Sequence, residues 1–479
     1  MAARMTWLTE DEKRAVYATA LHILETVGIR LAGSRALQPL AEAGATVDHV
    51  TGVARLPAAL VERAVAGCPR AVLMAGETPE ADVCLDGSRT HFNPSGSVAT
   101  TLDHVSGALR PSTLADVRDG TIVLDATEEV DVMWTFATAN DVPLERRAGV
   151  ELYTYLTESR KHLALVDCPS EAAGVRGAAE VVAGDLERFR ARPRLSVLCS
   201  VASPLEVNGD LLDVTLDLAA MGCPVWVYSL AICGATGPVT PAGTLALVWA
   251  EILGATSAIE TAVPGAPILA CCGPGILDMR ATSLSQGSLE NTLMGAAGVE
   301  IGHMLGLPVH NSGLATDAVS VGVQAGYEKG LKLAAAVATG ADMISGGFTA
   351  LNSASTLYLP MIPVDAEIAA MARRMAEGIE VTPATLMGDA IERVGIGGDF
   401  LKEKETRRRV RQGEHFMPII AGRGPTDRRL AAGVTELDRA REVVRAALDR
   451  RQERGPYLSD DQRRELAALC GVSPDGAPA

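Results

Sequence analysis

Short β-branched or apolar runs recur eight times through the middle of the chain, at residues 89–93, 130–138, 162–167, 195–200, 225–229, 268–272, 309–312 and 343–346. Successive runs start about 30 to 43 residues apart. The intervals hold amphipathic, Ala- and Leu-rich stretches long enough for a helix, near 114–126, 145–158, 170–190, 208–221, 242–262, 288–305 and 324–339, with an eighth at 365–378. Strand and helix alternating eight times at this interval predict an α/β fold, a (β/α)8 TIM barrel. Such a barrel gathers its chemistry at the carboxyl ends of its strands, so the pattern also selects which polar residues matter.

Outside the barrel, placed at 85–379, the pattern changes. Over residues 8–28, Val16, Ala20, Ile23, Leu24 and Val27 repeat at helical spacing and Gly28 is placed to stop the helix. Shorter helical patterns follow at 34–44 and 57–67, so residues 1–84 read as an N-terminal helical extension. Asp103 to Gly107 form a polar turn that reads as a hairpin tip. Thr113 to Asp116 and Asp389 to Glu392 resemble helix N-terminal caps. Residues 380–479 read as a C-terminal helical cap, Arg-rich, with a long charged helix at 435–453 that is either a solvated face or a docking surface.

Composition narrows the class. The net charge of −16 argues against nucleic acid or an anionic membrane surface as a partner. The N-terminus turns acidic and helical before any apolar stretch, so no signal peptide is expected, and the apolar region 211–272 is broken by Gly, Pro and charged residues. A cytoplasmic protein is expected. Nine scattered cysteines with no C-x-x-C pair fit reduced, mostly buried thiols. There is no phosphate loop, no H-E-x-x-H helix, and no histidine pair spaced to bind metal on one helix. Gly395 to Gly398 follow a helix and make no dinucleotide fingerprint.

The strand ends present Asn93 with Ser95, Thr138 with Asn140, Asp167 with Cys168, Ser200 with Ser203, Tyr228 with Ser229, Cys272 with Asp278, His310 with Asn311, and Gly347 with Phe348. No lysine stands there for Schiff-base chemistry, and few carboxylates for acid–base work. His162 and His303 read as structural. His310 lies near the end of the seventh run, as either a core histidine or a substrate contact. A neutral, hydrogen-bonding, mildly aromatic rim suits a small cation or zwitterion. Tyr228 and Phe348 either face that ligand or plug the barrel mouth. Glycine-rich loops at 311–314 and 345–348 keep a phosphate-binding lyase or isomerase as an alternative.

Residues 234–243, Ala250-Glu251, Asp278 with Arg280, and Asp317 with Gln324 to Glu328 resemble the trimethylamine methyltransferase superfamily. So do residues 23–28, 40–45 and 55–57, and residues 394–401. The resemblance covers nearly the whole chain and points to the non-pyrrolysine, glycine betaine methyltransferase-like branch. It implies a (β/α)8 barrel that moves a methyl group from a quaternary amine to the cobalt of a cobalamin (corrinoid) held by a separate corrinoid-binding protein. No corrinoid would be bound covalently, and a homo-oligomer is compatible. Aromatic candidates are Phe92, Tyr228, Phe348 and Tyr358, with Trp134 and Phe136 assigned to the strand core. Asn93, His310 and Asn352 would orient a carboxylate, and the family motif adds Asp317 and Gln324. A barrel that binds a betaine without transferring a methyl is the other alternative.

Overall fold

A computed structural model describes residues 5–166, 172–455 and 457–473. All eight apolar runs form strands of one parallel sheet: β1 His91–Pro94, β2 Val132–Trp134, β3 His162–Leu165, β4 Leu195–Val201, β5 Val225–Ser229, β6 Ile268–Cys272, β7 Val309–Asn311 and β8 Met343–Gly347. Hydrogen bonding orders them β1-β8-β7-β6-β5-β4-β3-β2. Between β1 and β2 the ring is drawn shut by Asp131. Its N–H donates to the Phe92 carbonyl and its carboxylate accepts the Phe92 N–H, both at 2.8 Å. Arg373 and Arg89 pair with the same carboxylate at 2.5 and 2.7 Å. Burial pushes this carboxyl up, but the hydrogen bond to His91 and the charge of Arg373 outweigh it and hold Asp131 below the usual range.

The helices follow the predicted intervals: α1 Leu114–Ala126, α2 Leu144–Glu158, α3 Ala172–Ala183, α4 Gly209–Ala220, α5 Pro241–Ala262, α6 Leu289–Leu305, α7 Val323–Thr339 and α8 Met361–Glu377. The helix predicted over 170–190 is instead two pieces. It breaks at Gly184, where φ is +90°, and Asp185 caps the second piece, Leu186–Ala191. The Thr113 capping box forms. The one predicted at Asp389 does not, because that helix, Gly388–Val394, starts two residues earlier, at a Met387 N-cap that makes no side-chain cap bond. By length and composition α5 could cross a membrane, yet 89% of its apolar window is buried. It packs beneath the N-terminal helices Glu10–Thr26 and Ala58–Gly67.

The N-terminal segment is not wholly helical. It also contains a three-stranded sheet of Ile29–Arg30, Thr46–Asp48 and Val53–Arg55. Strands this short carry no readable period. A hairpin of Val72–Met74 and Val83–Leu85 closes the amino end of the barrel, where Val72, Met74, Val83 and Leu85 cluster with Val132, Leu269 and Met343. The carboxyl end lies away from this hairpin, with Tyr228 half-buried and Ser200 exposed there. At the other terminus, Glu436–Arg454 packs on α1 and α8, and Asp460–Cys470 packs on α2 and α3.

Candidate active site at the carboxyl end of the barrel

Strand alternation decides which side chains enter the barrel. In β5 it turns Trp226 and Tyr228 inward; in β2 Trp134, in β7 His310, in β8 Ser345, and in β1 His91 and Asn93. The Trp134 and Trp226 rings meet edge to face at 4.8 Å between centroids. His310 lies 6.1 Å from Trp134, 5.6 Å from Trp226 and 5.7 Å from Tyr228. Trp226 is fixed from below: its Nε1–H donates to Ser196 Oγ at 2.9 Å, and that oxygen also meets His162 Nε2 at 2.8 Å. Tyr228, half-buried, reaches Ser312 Oγ at 2.9 Å. A Cβ on Gly273 would come within 2.5 Å of the Tyr228 hydroxyl, so the loop needs glycine there to pass.

The polar atoms of this lining are incompletely used. His310 Nε2 meets Ser345 Oγ at 2.6 Å, while its Nδ1 has no partner. Trp134 Nε1 and Asn93 Oδ1 are also buried and unpartnered. Buried polar atoms are nearly always satisfied, so these atoms, like both ring nitrogens of His91, leave hydrogen-bonding capacity in the barrel interior unused. Burial lowers the pKa of His310 to about 3, leaving a neutral imidazole. Burial also raises Tyr228 to about 12, against the smaller effect of its bond to Ser312, so the phenol stays protonated. The aromatic lining therefore presents π faces and hydrogen-bonding groups without formal charge.

Of the residues singled out from the sequence, Asn93, Tyr228 and His310 converge here. Phe92 does not: it alternates with His91 and Asn93, faces outward under the Arg373 guanidinium at 4.3 Å, and packs on Phe348 at 6.2 Å. Phe348 belongs to that outer layer as well, held at φ +62° with its N–H donating to Asp365 at 2.5 Å. Asp317 clamps loops. Its carboxylate accepts the N–H groups of Gln286 and Gly287, both at 2.9 Å, and the hydroxyls of Ser285 and Ser353. Gln324 is exposed on α7 and donates to Glu328 at 2.8 Å. Asn352 is exposed in a left-handed turn at φ +52°. Tyr358 is buried with Leu351 and Met361.

Trp134, assigned from sequence to the strand core, is buried in the cluster that fills the barrel interior, where its ring also meets Trp226 and His310. Trp226 was missed, although its place two residues before Tyr228 on one strand carried the signal. Phe136 does pack outward, on Tyr155 at 5.7 Å. Ser229 also faces out, donating to Glu251 at 2.5 Å, whereas Ser200 is exposed at the mouth. Asp167 and Cys168 lie outside the described residues. The corner after β7 and β8 is filled rather than open to an anion. The Leu314 N–H donates to the Ser345 carbonyl at 3.0 Å, and the buried pair Lys329–Asp365, at 2.8 Å, sits behind it. Among the described residues no three His, Cys, Asp or Glu side chains gather as a metal site.

The family model for trimethylamine methyltransferase (MTTB) matches residues 1–470. The chain belongs to this family. Trimethylamine methyltransferase MttB of Desulfitobacterium hafniense (strain DSM 10664 / DCB-2) is 28% identical over 429 residues, which cover 89% of this chain and 86% of the relative. Glycine betaine methyltransferase of Desulfitobacterium hafniense (strain Y51) is 28% identical over 422 residues, covering 88% and 87%. The solved hydroxylamine complex of MtmB shares the fold, with a TM-score of 0.50, 11% identity, and coverage of 93% of this chain and 94% of that one. In this member of the trimethylamine methyltransferase family, the uncharged aromatic lining stands where a barrel places its chemistry.

Proposed function

We propose that the protein transfers a methyl group from a quaternary amine of the glycine betaine type to the Co(I) of a corrinoid carried by a separate protein. In that reaction the methyl carbon–nitrogen bond breaks as the carbon bonds to cobalt. The electron pair stays on nitrogen, and the amine leaves neutral. No proton has to be delivered to the leaving group, which suits a lining with no charged acid or base.

The observation that carries this reading is the uncharged aromatic lining with its unpartnered polar atoms. The faces of Tyr228, Trp226 and Trp134 attract a quaternary ammonium, by about 0.5 to 2 kcal/mol per well-placed ring. A charged histidine beside them would repel that cation, and burial keeps His310 neutral. The Trp134 Nε1–H and a His310 Nδ1–H tautomer supply two donors for a carboxylate. The chain's own work is then to hold the cation, aim one methyl toward the mouth and keep water away.

Calorimetry with glycine betaine, followed by addition of Co(I) cobalamin and absorbance readout of corrinoid methylation, tests the reading. Binding and methyl transfer are expected. Trp134→Phe, which keeps a ring and removes the N–H, should weaken betaine binding about tenfold. It should leave tetramethylammonium binding nearly unchanged. Betaine binding with no transfer to any corrinoid would favour a binding protein instead, and no binding of any quaternary amine would defeat both readings.

A further inference from the structure

Helix α7 follows β7, and its inner face anchors the loop between them. Glu328 is 9% exposed, and its carboxylate serves that loop and its own helix. Oε2 accepts the Thr316 hydroxyl at 2.5 Å and the Asp317 N–H at 2.9 Å, and Oε1 accepts the Gln324 amide at 2.8 Å. The loop after β6 lies against the same carboxylate, since a Cβ on Gly287 would come 2.6 Å from Oε2. One turn further along, buried Lys332 donates to the Gln286 carbonyl. Hydrogen bonds to an anion are about twice as strong as neutral ones, so the loop is held firmly from the helix side.

The other side of this loop reaches the barrel lining. Ser312 meets the Tyr228 hydroxyl at 2.9 Å. Leu314 donates its N–H to the carbonyl of Ser345, whose hydroxyl meets His310 at 2.6 Å. Farther along, the Thr316 and Ala318 carbonyls accept the N–H groups of Ser353 and Asn352 at 2.7 and 2.9 Å. Asn352, Ser353 and Ala354 hold φ at +52, +51 and +61°. Left-handed backbone is disfavoured outside glycine, so this turn keeps its shape only while such partners hold it. One carboxylate on an outer helix thus stands behind two residues of the lining.

We infer that Glu328 is a positioning residue for the lining, setting Tyr228 through Ser312 and His310 through Leu314 and Ser345. Its effect on binding rests on the lining being the quaternary amine site proposed above. The run from Gln324 to Glu328, which carries part of the family resemblance, then has a task other than contact with the amine. A carboxylate can help to bind a cation in two ways. Acting through the loop needs an acceptor oxygen toward Thr316 and Asp317, whereas acting through space needs a negative charge. Glu328→Gln keeps the first and removes the second, because its amide oxygen can face Thr316 while Gln324 turns its own amide to match.

Calorimetry of the full chain with glycine betaine tests this. Glu328→Ala should bind about tenfold more weakly, and Glu328→Gln within about twofold of wild type. In a Ser312→Ala background the alanine effect should shrink to about threefold, because the shared path is already cut. Thr316→Val removes one donor with little change of volume and should cost about threefold, which keeps the test open where Glu328→Ala does not fold. Acrylamide quenching of tryptophan fluorescence needs no ligand. Quenching should rise in Glu328→Ala but not in Glu328→Gln, as the Tyr228 and His310 rings beside Trp226 and Trp134 loosen. A chain that shows this quenching pattern but binds no quaternary amine would defeat the proposed function and keep the positioning role. Unchanged quenching in Glu328→Ala, a glutamine variant as weak as the alanine one, or losses that add fully with Ser312→Ala would each overturn the inference.

Discussion

His162 and His310 are both fully buried, and desolvation brings each from 6.5 to about 3. The sign of the consequence follows from proton counting. Below pH 6.5 the unfolded chain binds a proton at each histidine that the folded chain refuses until pH falls to about 3. Stability is therefore lost as pH falls through that window, by about 1.4 kcal/mol per pH unit for each histidine. Urea unfolding at a series of pH values below 6.5 should show this slope, reduced by roughly half of the histidine contribution in His310→Asn. At this scale the sequence was legible where residue type and strand position coincided, as at Asn93, Tyr228 and His310. It misled where chemistry was assigned without the two-residue alternation. Phe92 faces away because His91 and Asn93 face in.

The elements themselves were the most readable level, since strands buried on both faces read as continuous apolar runs and their helices repeat at 3.6 residues. What lay beyond reading were features set by long-range partners. The loops after β7 and β8 are locked by such a pair. Lys329 of α7 and Asp365 of α8 are both wholly buried, and the lysine also donates to the Leu314 carbonyl at 3.1 Å. Desolvation pushes the Asp365 carboxyl up, opposed by Lys329 and by the Phe348 N–H. Removing one partner strands the other charge in the core, so Lys329→Met should cost about 3 to 5 kcal/mol in chemical denaturation. Lys329→Met with Asp365→Leu should recover much of that loss, because no unpaired charge remains. A double variant no more stable than the single one would show that the pair acts by positioning the Phe348 turn rather than by neutralising charge.

For the whole molecule the decisive contact is the seam, since a barrel with one open edge loses the enclosure that orients its lining. Asp131 holds that seam from both sides, bonding the β1 backbone at Phe92 while Arg89 and Arg373 approach its two oxygens. An isosteric amide keeps the size but loses both ion pairs, so Asp131→Asn should cost about 3 kcal/mol. The pH dependence separates this effect from the histidines. A carboxyl held below its usual 3.8 contributes stability above that value and loses it as pH falls through the lower folded-state pKa. The loss from Asp131 therefore begins near pH 3.8, whereas that from the histidines begins near 6.5. Acid unfolding followed by circular dichroism should thus run parallel in wild type and Asp131→Asn down to about pH 4.5 and converge only below it. Convergence already near pH 6 would show that ionisation of Asp131 is not what separates the two proteins.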